Sequence, residues 1–208
     1  MMTLATVLFA LTLLHSSAAV AITKRACFGA GCFWGTEKFF KVDFGAKMFK
    51  GSGKVTKGAV GYMGPPGSKE NPTYREVCSG KTGHVEVYDF EFDGDDSTFE
   101  DLCKHFFMWH DPTSMNRQGN DRGTQYASAI FCYDQAQMDI ANKVKLEVQA
   151  LLGGPKGRAL SYQEGKVTTE VAPATKFWAA ESEHQEYLAR NPGGYCNHGY
   201  RFTEWPTK

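Results

Sequence analysis

The residues with the clearest chemical potential lie together in the stretch Gly31-Cys32-Phe33-Trp34-Gly35. A thiol at a turn from a strand into a helix can be activated, because the helix N-terminus lowers its pKa and the thiolate is the reactive form. The two aromatic rings could wall an apolar pocket, and the glycines allow a sharp turn and a close approach of substrate. The stretch predicts a reactive cysteine, with a small core residue as the alternative because free cysteine is commonly buried.

Glu86 is the second candidate for chemistry, and it lies in the predicted strand His84–Phe92. Strand alternation places it on a face with three aromatic residues, Tyr88, Phe90 and Phe92. Desolvation on such a face raises the pKa of a carboxyl, so that it stays protonated near neutral pH and can deliver a proton. A twist or bulge that turns Glu86 to solvent is the alternative.

Further candidates lie at strand ends and in loops, where sites are commonly built. Tyr62 ends a predicted strand at a tight turn, Tyr126 follows a polar loop, and Asp121 lies within that loop. Packing and turn formation are the alternative roles for these three residues. Cys196 lies in a glycine-rich tail, where a thiol could swing to a second thiol; a structural disulfide or an idle thiol is the alternative. His184 could instead pair with Cys32 as a base, as in a cysteine hydrolase.

The composition restricts the scaffold that must position these residues. The chain has 208 residues, no formal net charge and 42% hydrophobic residues, which suits one domain with a substantial core. The charge balance gives no general attraction to nucleic acid or anionic membranes. Strands mixed with a few helices, without regular βαβ alternation, predict an α+β fold, a two-layer sandwich.

The local patterns predict the elements of that fold. Strands are expected at Ala26–Ala30, Val55–Tyr62, His84–Phe92, Tyr126–Tyr133 and Val167–Val171. One helix is expected to begin at a capping box of Ser97 and Glu100 and to end before Pro112. A second is expected from a cap at Asp134 to Gly153, and a third over Glu181–Arg190. The segment from Gly193 to Lys208 is rich in glycine and aromatic residues and is expected to be irregular.

The first 21 residues predict a secretory signal peptide, followed by a catalytic domain over residues 22–208. Leu4–Leu14 is almost entirely apolar, but it is shorter than the roughly 20 residues that a membrane-spanning helix needs. Ala19-Val20-Ala21 fits a cleavage site of small residues. A mitochondrial or cytoplasmic location is the alternative.

The six cysteines all follow this leader, and an even number in a secreted chain could form three disulfides. Cys27, Cys103 and Cys132 lie in apolar runs and are expected to be buried thiols. Whether any of Cys27, Cys78, Cys103 and Cys132 form disulfides stays open. Clustered Cys/His spacing of the kind that binds zinc is absent from the sequence, so no metal site is expected.

Taken together, the motifs resemble the A-type peptide methionine sulfoxide reductases, over roughly Ala26 to Cys196. The Gly31–Gly35 motif alone would only suggest this family, whereas the whole set of motifs in the same order along the chain is highly specific for it. The motifs are Gly31–Gly35, Gly61-Tyr62, Asn71-Pro72-Thr73-Tyr74, Glu76-Val77-Cys78, Thr82-Gly83-His84-Val85-Glu86, His110-Asp111-Pro112-Thr113, Arg117-Gln118-Gly119-Asn120-Asp121, Gly123-Thr124-Gln125-Tyr126, Phe177-Trp178-Ala179-Ala180-Glu181, His184-Gln185, Tyr187-Leu188 and Gly194-Tyr195-Cys196. The resemblance implies a ferredoxin-like core with a mixed sheet, flanking helices and long coils.

The resemblance also implies a role for each candidate residue. Cys32 would attack the sulfoxide sulfur and Glu86 would protonate the sulfoxide oxygen. Tyr62 and Tyr126 would hydrogen-bond that oxygen, and Asp121 would help to position the substrate and order the site. Phe33 and Trp34 would hold the substrate methyl group. Cys196 would resolve the oxidised cysteine.

The resemblance further implies that no cofactor is bound and that an external dithiol, thioredoxin or dithiothreitol, reduces the enzyme. The partners would be methionine S-sulfoxide, free or in proteins, and a thioredoxin-like reductant, with no nucleic acid, no membrane after leader removal, and a monomeric chain. Unlike some relatives, this sequence has no cysteine after Cys196. A cysteine hydrolase and a disulfide-stapled binding domain remain as alternatives.

Overall fold

The structure, a computed structural model, describes residues 23–154 and 157–206, apart from the side chains of Arg158 and Ala159. The predicted signal peptide lies outside the described residues. None of the helices within the described ranges is long and apolar enough to cross a membrane.

A six-stranded mixed sheet forms the centre of the fold. Its strands are β1 (Thr23–Ala30), β2 (Lys54–Met63), β3 (Val85–Asp93), β6 (Ser128–Cys132), β7 (Glu170–Pro173) and β8 (Trp178–Ala179). They lie in the order β7-β6-β1-β3-β2-β8, in which β6 and β7 are parallel and the other neighbours are antiparallel. A separate two-stranded ribbon joins β4 (Arg117–Gln118) to β5 (Asp121–Arg122). Because β1 lies at the middle of the large sheet, the turn that follows it is held on both sides.

Helices cover one face of this sheet. They are α1 (Phe33–Lys38), which continues into a π-helical turn at Phe39–Asp43, α2 (Tyr74–Cys78), α3 (Asp96–Trp109), α4 (Gln135–Leu152) and α5 (Tyr187–Arg190). Short 3₁₀ turns occur at Thr124–Tyr126 and Gly157–Leu160. With the mixed sheet, this arrangement confirms the predicted α+β two-layer sandwich.

The alternation predicted for β3 is confirmed by its two buried faces. Tyr88, Phe90 and Phe92 pack in the large aromatic core beneath the helices. Val85 and Val87 belong to a smaller apolar cluster on the opposite face. Glu86 is in phase with the aromatic residues, so the sheet directs its carboxyl to the helical side, where α1 begins.

Several predicted element boundaries were wrong for identifiable reasons. Helix α3 is capped by Asp95, whose carboxylate accepts from the amides of Ser97 and Thr98, so the proposed box of Ser97 and Glu100 does not form. An aspartate one residue before the helix is the better acceptor for these free amides. Asp134 caps α4 as predicted.

Three further segments differ in extent from the prediction. Strand β6 begins at Ser128, because Thr124–Tyr126 forms a 3₁₀ turn. Strand β7 covers Glu170–Pro173, later than the expected Val167–Val171. The expected helix over Glu181–Arg190 is reduced to the single turn of α5, because Glu186 before it adopts a left-handed φ of 53°. A left-handed residue interrupts a right-handed helix.

The C-terminal segment is irregular over its described part, residues 193–206, as predicted. Side chains and backbone groups tie it to the folded body. The amide of Arg201 donates to the carbonyl of Met108 at 2.8 Å, and that of Gly199 donates to Trp109 at 3.3 Å. The tail therefore crosses the C-terminal end of α3.

Candidate active site

Cys32 lies at the turn between β1 and α1, as predicted. Gly31 has a φ of 88°, a left-handed conformation that favours glycine. A Cβ at this position would also collide with the side chain of Gln118. Cys32 occupies the N-cap position of α1, and its side chain is only 7% exposed. The turn thus places a thiol at the start of a helix and within the core.

The free amides of the first helical turn are divided between two acidic groups. The amide of Phe33 donates to Glu86 Oε2 at 3.0 Å. The amides of Trp34 and Gly35 act on the Cys32 sulfur electrostatically and lower its pKa, although the thiol makes no capping hydrogen bond within the described residues. A helix N-terminus leaves these donors without intrahelical partners, so they are available for a thiolate and a carboxylate. One helical turn therefore holds the thiol and the carboxyl side by side.

The predicted lowering of the Cys32 pKa is wrong in this resting structure. Burial raises the pKa of Cys32, and the nearby Glu86 carboxylate raises it further. The amides of Trp34 and Gly35 act in the predicted direction, but their effect is smaller than these two. A buried site resists a second negative charge, so Cys32 rests as a thiol.

The predicted behaviour of Glu86 is confirmed. The side chain is 1% exposed, and burial raises its pKa to about 8. The negative charge of Asp121 contributes in the same direction, while the Phe33 amide opposes it. At pH 7 the carboxyl is therefore mainly protonated. Its Oε1 atom is buried and has no hydrogen-bond partner among the residues that the structure describes.

Phe33 and Trp34 belong to an aromatic wall that the sequence only partly predicted. The Phe33 ring centroid lies 6.0 Å from that of Tyr62 and 5.3 Å from that of His184. Trp34 stacks on Tyr187 at 3.8 Å with an interplanar angle of 17°. The segment before α5 and α5 itself thus complete an apolar wall beside the cysteine turn.

Tyr62 lies directly opposite Glu86 in the register of β2 and β3. Its hydroxyl donates to Glu181 Oε2 at 3.0 Å, and burial together with this contact raises its pKa. Glu181 Oε1 also accepts the amide of Tyr74 at 2.8 Å. Sequence reasoning missed Glu181 as a site residue, although it belongs to the motif that begins at Phe177.

Tyr126 lies close to the same acidic groups. Burial raises its pKa, and the charges of Glu86, Cys78, Asp121 and Cys32 raise it further. The 3₁₀ turn places this phenol beside the site, although it is not part of the strand in which the sequence predicted it. Tyr62 and Tyr126 are therefore both brought to the region of Glu86, as predicted.

Asp121 holds the tail. Its Oδ1 accepts the hydroxyl of Tyr195 at 3.0 Å, and its Oδ2 accepts the Asn197 amide at 2.8 Å. Asn197 also donates to the carbonyl of Gln118 at 2.7 Å. The two tail residues on either side of Cys196 are thereby fixed to the β4–β5 ribbon, while the Cys196 side chain is exposed.

The alternatives left open by the sequence receive no support from this geometry. All six cysteines are free thiols, and Cys27, Cys103 and Cys132 are buried as expected. His184 stacks on the rings of Trp34 and Tyr74, and within the described ranges no hydrogen bond joins it to Cys32. No group of three or more metal-binding side chains occurs among the described residues.

Comparison with known proteins gives consistent similarities. Residues 24–205 match the family model described as peptide methionine sulfoxide reductase. The chain is 46% identical over 176 residues to the peptide methionine sulfoxide reductase MsrA of Ectopseudomonas mendocina, covering 85% of this chain and 72% of that protein. The corresponding protein of Azotobacter vinelandii is 47% identical, with 85% and 73% covered.

Two solved structures share the fold. The crystal structure of Mxr1 from Saccharomyces cerevisiae in reduced form superimposes with a TM-score of 0.71 at 32% identity, covering 86% of this chain and 93% of that one. The methionine sulfoxide reductase A of Corynebacterium diphtheriae gives a TM-score of 0.61 at 34% identity, with 84% and 77% covered.

Proposed function

The chain belongs to the peptide methionine sulfoxide reductase family, and on that premise we propose that Cys32 attacks the sulfoxide sulfur while Glu86 protonates the sulfoxide oxygen. The protein is an oxidoreductase that reduces methionine sulfoxide, a reaction of protein repair. The assignment of roles is carried by one observation. A buried carboxyl with a raised pKa and an unpartnered Oε1 shares one helical turn with the thiol.

The protonation states of Glu86 and Cys32 before substrate binds favour these two roles. With Glu86 neutral and Cys32 a thiol, the pocket carries no charge from either group. Donation of the Glu86 proton makes the sulfoxide oxygen a better leaving group and leaves a carboxylate that can take the proton of the attacking thiol. The Cys32 sulfur bonds to the substrate sulfur, and the protonated oxygen passes from the substrate sulfur to the Cys32 sulfur. The S–S bond then breaks with its electron pair on the substrate, which leaves as the thioether while Cys32 becomes a sulfenic acid.

The aromatic wall supports a binding pocket for the substrate methyl group between the rings of Phe33 and Trp34. Their rings are 6.4 Å apart at an angle of 38°. The phenols of Tyr62 and Tyr126 lie on the Glu86 side, where they would hydrogen-bond the sulfoxide oxygen as charge develops on it. Because the site would offer hydrogen bonds to the sulfoxide oxygen and apolar rings to the methyl group, it would favour one sulfoxide epimer, which we assign as the S epimer.

The oxidised Cys32 is returned to a thiol in two further steps. Cys196 condenses with the sulfenic acid to form a disulfide and water, and an external dithiol then reduces this disulfide. The exposure of Cys196 and the fixing of its neighbours by Asp121 support this role. We assign the reductant to the thioredoxin-like class, with dithiothreitol as a substitute, and the working unit to a monomer.

Turnover of a dabsylated methionine S-sulfoxide tests these roles. Cys32→Ser should abolish product formation with any reductant, because the nucleophile is lost. Cys196→Ser should form about one equivalent of methionine per enzyme and then stop when thioredoxin is the reductant. Cys103→Ser, a change at a buried thiol outside the site, should cycle normally. Full thioredoxin-driven turnover of Cys196→Ser would reject the resolving role.

The leader directs the protein to the secretory pathway in this proposal. N-terminal sequencing of the protein from a secreting cell should begin at Ile22, and an intact Met1 would reject cleavage. A secreted enzyme would need its dithiol in a compartment that favours disulfides.

A further inference from the structure

His198 connects the tail to the turn that carries Cys32. Its Nε2 lies 2.6 Å from the carbonyl oxygen of Ala30, two residues before Cys32. Its Nδ1 lies 3.9 Å from the sulfur of Cys196. The ring packs so closely on Gly35 that a Cβ there would collide with it. A single imidazole ring therefore separates Cys196 from the backbone of the nucleophile turn.

The Ala30 carbonyl fixes the tautomer of this ring. A carbonyl oxygen can only accept a hydrogen bond, so Nε2 must carry the proton. In the neutral ring, Nδ1 then presents a lone pair toward the sulfur of Cys196. Burial lowers the pKa of His198 to about 4, so the ring is neutral near pH 7 and this lone pair is free to accept a proton.

We propose that His198 is a catalytic base that takes the thiol proton of Cys196 as Cys196 attacks the Cys32 sulfenic acid. The inference rests on the resolving role proposed above for Cys196. A base hydrogen-bonded to a nucleophile and oriented through its other nitrogen is the arrangement that activates weak nucleophiles in enzymes. Here the orienting group is a main-chain carbonyl, which holds the ring but carries no charge.

The step balances without another reactant. The S–H bond of Cys196 and the S–O bond of Cys32 break, while an S–S bond and an O–H bond form. The Cys196 sulfur is oxidised and the Cys32 sulfur is reduced by the same amount. The proton held by His198 passes to the departing hydroxide, which leaves as water, so the ring returns to its neutral form.

The groups around His198 keep it neutral over a wide pH range. The positive charges of Arg201 and Lys38 both lower its pKa, and the Ala30 carbonyl opposes them. His110 also lies close enough for the two rings to interact, and burial keeps its own pKa near 3. The aromatic rings that pack against His198 are those of Phe39 and Trp109 among the described residues, and they carry no charge.

This arrangement predicts a characteristic pH dependence. Without a base, the attacking thiol must first lose its proton to solvent, so the rate of attack falls about tenfold for each unit by which the pH is lowered. With a neutral imidazole as base, the thiol form attacks directly. The rate of disulfide formation should then change by less than about threefold between pH 5.5 and 7.5.

The experiment uses the whole protein and one equivalent of methionine S-sulfoxide, without reductant. Acid quenching, alkylation and mass spectrometry follow the Cys32–Cys196 disulfide with time at several pH values. His198→Gln is the test variant, because its amide can still donate to Ala30 but is not a base; His198→Asn is run beside it. Disulfide formation in these variants should be at least tenfold slower at pH 6 and fall about tenfold per pH unit.

Tyr195→Phe is the matched control, because it weakens the attachment of the tail without removing the His198 base. It removes the contact to Asp121 but leaves the His198 ring in place, so it should slow disulfide formation by the same factor at every pH. Equal pH slopes in wild type and both His198 variants would overturn the role of His198. Methionine formation without any Cys32–Cys196 disulfide in the wild type would instead reject Cys196 as the resolving thiol, and His198 with it.

Discussion

The nucleophile turn and the C-terminal tail carry the two proposed reactive thiols, and they are built on opposite principles. Cys32 is 7% exposed, lies at the end of the central strand and is packed against the aromatic core. Cys196 is exposed in an irregular segment that is tied down by side chains. The first thiol is positioned by burial, the second by a few hydrogen bonds.

The difference follows from what each step requires. Proton delivery to a sulfoxide needs a neutral carboxyl near pH 7, and desolvation is the largest of the causes that raise the pKa of Glu86. Resolution needs a thiol that can approach Cys32 after methionine has left and then present a disulfide to an external reductant. An exposed segment with a small number of contacts can move in this way, whereas a core strand cannot.

The largest effect is expected from removing the acid at the buried turn. Glu86→Gln should lower the rate of methionine formation at pH 7 by at least 100-fold, the usual contribution of a positioned acid. In the wild type the rate should fall as pH rises through about 8, because Glu86 loses the proton it must donate. Single-turnover measurements from pH 6 to 9 check both points.

Glu91→Gln is the control for this change. Glu91 is on the same strand but on the opposite face, where it pairs with Lys57. It should leave the rate and its high-pH limb unchanged. A Glu86→Gln enzyme that works at the wild-type rate would remove the acid role.

The nucleophile turn and the C-terminal tail also differ in how much of their structure could be predicted from the sequence. The phase of β3 put Glu86 on the aromatic face, because side-chain alternation is a local property that burial enforces along the whole strand. The predicted direction of the Cys32 pKa shift was wrong, because the pKa is raised and not lowered. The sequence shows the helix that follows the thiol but not the depth of burial or the carboxyl beside it, and these two outweigh the helix amides.

The tail was predicted only in outline. Its irregularity follows from its glycines, but its contacts join residues far apart in the chain, such as Asn197 with Asp121 and His198 with Ala30. No local pattern encodes such pairs. Glu181 was missed for the same reason, since its partners Tyr62 and Tyr74 lie more than 100 positions earlier.

A smaller effect is expected from weakening the attachment of the tail. Asp121→Asn replaces two charge-assisted hydrogen bonds with weaker ones, which costs about 1–2 kcal/mol. The Cys32–Cys196 disulfide should then form about 5- to 30-fold more slowly, a larger loss than that of methionine formation. The high-pH limb of methionine formation should shift to lower pH, because the negative charge of Asp121 helps to raise the pKa of Glu86 and its removal lets Glu86 ionise more easily. The disulfide rate is the direct measure of the tail attachment.

Asp139→Asn, an exposed change on α4, is the control and should alter neither step. If Asp121→Asn slowed methionine formation and left disulfide formation intact, Asp121 would act on the substrate and the tail would be held by other contacts.

The smallest effect is expected at Glu181. This residue lies in a loop and accepts a hydrogen bond from the hydroxyl of Tyr62, which is buried in the core. Glu181→Gln should lower the rate of methionine formation about 3- to 10-fold, because a neutral amide is a weaker acceptor for the Tyr62 hydroxyl. If Glu181 acts through Tyr62, the double variant with Tyr62→Phe should be no slower than Tyr62→Phe alone. Additive losses would instead show that Glu181 acts on α2 through the Tyr74 amide.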